Sequence, residues 1–178
     1  MLRTLLALLL ALLFALSLPL QAAQVRVLGW NDLVPADAPP PVFPELPMHD
    51  LAELGDVLMG EAEATTSMPQ ATGQPVVQAL DGQRVRLPGY IVPLDMNERG
   101  RVTEFLLVPF YGACIHVPPP PSNQIVHAVS ELGVPIQELW QPFWIEGPMQ
   151  VEAVSSELAE AGYRIQAQKI YAYEEGDL

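Results

Sequence analysis

The sequence predicts a mainly β protein: a small Greek-key, OB-like barrel with one or two short helices and a proline-rich N-terminal arm. Three observations lead there. Short β-prone runs recur from Val76 to the C-terminus, and turn signals such as Asp81-Gly82 and Asn97 to Gly100 separate them. A single helical stretch, Ser155 to Ala161, precedes one last strand, an order that suits the OB type among small barrels.

The elements follow in order. Residues 1–22 read as a cleavable signal peptide: Arg3 supplies the positive start, Leu5 to Leu18 form an uncharged apolar run, and Pro19 with Ala22 and Ala23 marks the cleavage region. The proline and small residues, with no basic stop-transfer cluster after them, favour cleavage over a membrane anchor. No stable membrane insertion is expected afterwards. Val25 to Leu28 reads as a short strand, followed by Trp30-Asn31-Asp32-Leu33. Six prolines between residues 35 and 48 impose an extended arm that lies over the domain. Asp50 caps a predicted helix whose apolar positions are Leu51, Leu54, Val57 and Leu58, and Gly60 ends it. Residues 61–75 are small and polar, a linker. The division is therefore a signal at 1–22, arm, helix and linker at 23–74, and the barrel at 75–178.

Within the barrel, Val76 to Leu80 and Arg84 to Leu94 flank Asp81-Gly82 as a predicted hairpin. Pro88-Gly89 implies a bulge or corner in the second strand. Val102 to Phe110, Ile125 to Val129 and Met149 to Val154 are further predicted strands. Tyr163 to Tyr173 is the last, its alternation changing at Lys169. Tyr90, Tyr111, Trp140 and Trp144 read as core and rim aromatics.

Charge narrows the partners. Loss of residues 1–22 leaves 7 basic against 21 acidic side chains, a net of −14, which repels phosphate backbones and anionic lipid. Nucleic acid is thus a poor partner, while cations suit the chain. Cys114, the one cysteine, permits no intramolecular disulfide and no dithiol redox chemistry.

The chemistry concentrates in Leu107 to Val126, LVPFYGACIHVPPPPSNQIV. In an extended strand Cys114 and His116 share one face, and thiolate with imidazole is a zinc or copper(I) donor set. His127 is a third candidate ligand if the proline run folds the chain back, and Asp95 or Glu104 could complete the set. The competing reading makes Cys114 a buried packing residue. Pro118, Pro119, Pro120 and Pro121, with Tyr111, Asn123 and Gln124, shape the site or present a docking ridge. No G-x-S-x-G, H-E-x-x-H, C-x-x-C or phosphate loop occurs, which points away from an enzyme.

The segments GYIVPLD and EFLLVPFYGACIHVPPPPSNQIV resemble the signature of an exported bacterial family, domain of unknown function 3299. The resemblance runs from about Trp30 to the end. It implies a periplasmic accessory protein of a zinc-linked ABC transport system, acting beside a permease and a histidine-rich zinc-binding protein, with zinc the implied metal. The competing function is a non-enzymatic module that docks on the transporter.

Overall fold

The computed structural model describes residues 24–42, 70–115 and 117–174. The predicted signal peptide, the helix expected from Asp50, most of the linker and His116 lie outside them.

Nine strands are formed: β1 (Arg26–Val27), β2 (Arg84–Met96), β3 (Arg101–Val108), β4 (Val126–Pro135), β5 (Phe143–Gln150), β6 (Val154–Ser155), β7 (Glu160–Ala161), β8 (Tyr163–Gln166) and β9 (Lys169–Ala172). Strands β2, β3 and β4 pair antiparallel in succession, and β5 returns to lie beside β2. The spatial order β5-β2-β3-β4 is a Greek key. β8 then pairs parallel with β4 and antiparallel with β5, closing a five-stranded ring of the expected OB-like kind. Closure leaves β1 and β9 to flank the ring rather than expose long edges.

Pro88-Gly89 is the corner the sequence implied. Arg84 to Gly89 pair with β5, whereas Tyr90 to Met96 pair with β3. A β-carbon at position 89 would stand 2.8 Å from the Val108 carbonyl oxygen and 2.9 Å from the Trp30 ring, so only glycine lets Trp30 close against the strand. The Trp30 Nε1–H donates to the Pro88 carbonyl at 2.8 Å. At Gly147 a β-carbon would collide with the Gln166 backbone, where β5 passes from β2 to β8.

Strict alternation sorts the side chains. Ile91, Phe105, Leu107, Val126 and Ala128 face the ring interior with Leu28, Leu33, Ile145 and Tyr163. The Tyr163 hydroxyl, fully buried, donates to the Leu33 carbonyl at 2.6 Å and accepts the Val77 N–H at 2.7 Å, tying the N-terminal stretch to the ring. Val92, Leu106, Val108 and Ile125 point outward into a second apolar cluster.

Several elements differ from expectation. Val76 to Leu80 forms a 3-10 turn at Gln78–Leu80 instead of a strand. Asp81-Gly82 therefore closes no hairpin. It caps the end of β5, with the Gly82 N–H donating to the Met149 carbonyl and Asp81 Oδ1 accepting the Val151 N–H. Ser155 to Ala161 is the β6–β7 hairpin, not a helix. Ser156 Oγ accepts the Ala159 and Leu158 N–H groups at 3.1 and 3.3 Å, giving the backbone a turn to adopt in place of a helix. The last strand splits at Ala167-Gln168 into β8 and β9, which serve different partners. Helical structure among the described residues is confined to four 3-10 turns.

Candidate functional site

After β3 the signature loop turns back over the outer face of β2, β3 and β4. Gly112 (φ +82°) and Cys114 (φ +64°) both adopt left-handed backbone, and the Gly112 carbonyl accepts the Ile115 and Val117 N–H groups at 3.3 Å. The extended strand assumed for Cys114 is thus absent: two left-handed residues reverse the chain there. Cys114 is the one non-glycine residue at positive φ among those described, a conformation that costs a β-carbon-bearing residue energy.

Ala113 is fully buried and Cys114 half-buried, both packed on the outer apolar cluster of Val92, Leu106, Val108 and Ile125, which Ala159 and Ala161 cover from the other side. Burial pushes the Cys114 thiol up to about 11. A protonated sulfur in apolar surroundings is a poor nucleophile.

His127 sits elsewhere on the same outer face. On β4 it stands opposite Leu106 of β3 and Arg164 of β8. Its ring is buried, with Nε2 2.8 Å from Glu104 Oε1. The carboxylate can only accept, so Nε2–H donates to Glu104, while Nδ1 is buried with no hydrogen-bond partner among the described residues. Glu104 keeps 43% of its side chain exposed. Together they form one wall of a cleft of about 590 Å³, bounded by Pro93, Leu94 and Asp95 of β2, by Val154 to Leu158 of the β6–β7 hairpin, and by Arg164. Among the described residues no three Cys, His, Asp or Glu side chains converge to hold a metal ion, and His116 lies outside those residues.

The other predicted residues have structural work. Pro119 and Pro120 are buried and Pro118 is exposed. The Pro120 carbonyl accepts Gln70 Nε2–H at 3.0 Å. Asn123 donates from Nδ2 to the Pro75 carbonyl at 2.8 Å, while Ser122 bonds Ala71, Gln74 and Gly162. The proline run is therefore packed into the domain and anchors residues 70–76. Gln124 and Asn123 line a smaller cleft with Asn31 and Pro35. Tyr111 is exposed, edge-on to Tyr90 at 5.8 Å, and shares an apolar groove with Ile115, Ile136 and Trp140.

The sequence offers Glu104, with Asp95, as a spare carboxylate and carries no local signal for Glu157, Leu158 or Arg164. Only the parallel pairing of β4 with β8 and the fold of the β6–β7 hairpin bring those residues to His127.

Fold and site together define a small closed-ring β domain with a ligand-sized cleft on its outer face. More particularly, the chain belongs to the family described as protein of unknown function (DUF3299), whose model matches residues 30–172. It is similar to the crystal structure of a DUF3299 family protein from Pseudomonas aeruginosa PAO1, with 56% identity and a TM-score of 0.69, over 85% of this chain and 98% of that one. No curated protein matches the chain.

Proposed function

We propose that this chain is an exported, periplasmic recognition module that serves a zinc-linked ABC transport system, contacting the permease or its zinc-binding protein without catalysing a reaction. The position of the cleft carries the recognition part of this reading, and the transport setting rests on the family resemblance. The cleft takes Glu104 and His127 from the second and third strands of the ring, β3 and β4, with walls from β2, from Arg164 of β8 and from the connection between the fourth and fifth strands, β5 to β8. OB folds bind their ligands on that face and loop, a likeness of fold that sets the place and not the ligand. The state of Cys114 supports recognition over thiol chemistry, since its sulfur packs on apolar side chains and stays protonated at neutral pH. Among the described residues no helix is long and apolar enough to cross a membrane.

Growth of a bacterium carrying this gene tests the reading. Deletion should slow growth in chelator-limited zinc medium, and both the wild-type chain and Cys114→Ser should restore it. Leu158→Arg, a change at the 40% exposed rim of the cleft, should not restore it although the variant is exported and folded. Wild type and Cys114→Ser, once purified, should carry the same zinc. Zinc bound by wild type and lost in Cys114→Ser, with growth lost too, would overturn the reading in favour of metal handover by Cys114, His116 and His127.

A further inference from the structure

The cleft beside His127 has a chemistry of its own, and its occupant follows from its walls. Resting on the recognition reading above, we infer that it receives the side chain of a lysine or arginine presented by a protein partner.

Charge is the first reason. Asp95, Glu104 and Glu157 line the cleft against one cation, Arg164. The Arg164 Nη1 lies 3.6 Å from Glu152 Oε2, so part of its charge is already answered outside the three lining carboxylates. An acidic cleft with low-dielectric walls concentrates field and draws a cation in.

The walls give the second reason. Pro93, Leu94, Val154 and Leu158 are apolar. A bare metal ion gains nothing from them, whereas the methylene stem of lysine or arginine covers such surface and still delivers its charge to a carboxylate. At about 590 Å³ the cleft also exceeds what a lone ion needs and suits a long side chain with part of its backbone.

Preorganisation is the third. Glu104 is held at 2.8 Å by an imidazole that is 5% exposed, and so cannot swing freely. His127, which lines the cleft, also keeps Nδ1 buried with no hydrogen-bond partner among the described residues. A carboxylate fixed in advance loses little side-chain entropy when a guanidinium or ammonium arrives.

The test is a titration of the isotope-labelled mature chain, followed by amide signals, with capped Gly-Arg-Gly, Gly-Lys-Gly and Gly-Glu-Gly peptides and with zinc chloride. The arginine and lysine peptides should shift Glu104, His127 and Leu158 saturably, and the glutamate peptide should not. Glu104→Gln and, separately, Glu157→Gln should each weaken that binding roughly fivefold, the upper range for a half-exposed ion pair. Glu138→Gln, an exposed carboxylate on the 3-10 turn before β5, should leave it unchanged. Equal weakening by Glu138→Gln would overturn the inference, because binding would then be to acidity at large. Zinc moving these signals while the basic peptides stay silent would overturn it in favour of a metal site. A silent titration beside a Leu158→Arg growth defect would overturn the ligand and leave the recognition reading standing.

Discussion

Cys114 shows how one backbone angle redirects chemistry. The sequence pairs it with His116 through the two-residue period of a strand, yet at φ +64° it belongs to a reversal that presses its sulfur onto Val92, Leu106 and Val108. Burial lifts the thiol from near 9 to about 11, so at neutral pH only about one molecule in ten thousand carries a thiolate. Native-state alkylation should accordingly be slow at pH 7 and accelerate as pH climbs toward 11. Fast labelling at pH 7 would mean an activated or exposed sulfur. The same shift has a stability sign. The folded state holds the thiol proton more tightly than the unfolded chain, so its contribution is complete below pH 9 and is lost as pH rises to about 11. Tyr163, also raised by burial, acts in the same direction.

Among the elements, β5 carries the most obligations, pairing with β2, β8 and β9. Glu146 is its charged clasp, buried and bonded by Arg84 from β2 at 3.1 Å and by Lys169 from β9 at 3.1 Å. Burial raises its carboxyl, but the Lys169 and Arg84 hydrogen bonds and charges outweigh that and hold it below the usual range. The clasp is therefore intact above the ordinary carboxylate range and is lost as pH falls through the lowered folded value. Denaturation profiles should show Glu146→Gln less stable than wild type at pH 7 and the two converging toward pH 3. An unchanged gap across that range would contradict the clasp. Element boundaries were legible where chemistry is local: Asn97 to Gly100 reads as a turn, and Asn97 Oδ1 indeed accepts the Arg99 and Arg101 N–H groups. Ser155 to Ala161 misled because the sequence does not show that the Ser156 hydroxyl accepts the Leu158 and Ala159 N–H groups.

At the scale of the whole molecule, alternation and turn spacing carried the ring, since each strand from β2 to β4 follows its predecessor by a short connection or the signature loop. The site was legible only in pieces. His127 and Glu104 are both visible as candidate ligands, but their meeting depends on the β3–β4 register, in which Leu106 faces His127. Arg164 and the β6–β7 hairpin join through a parallel pairing of strands far apart in sequence, which no local pattern encodes. Acidity acts at this scale too: a net charge of −13 over the full chain favours cationic partners in general, and the cleft focuses that preference on one face.

The claim on which this account turns is that the outer-face cleft meets the transporter. A photo-activated cross-linking residue at Leu158, introduced in cells growing in zinc-limited medium, tests it most directly, with Ala172 on the flanking β9 as the control position. A cross-link from position 158 to the permease or its zinc-binding protein, identified by its peptides, is expected, and none from position 172. Cross-linking to those proteins from 172 and not from 158 would contradict it.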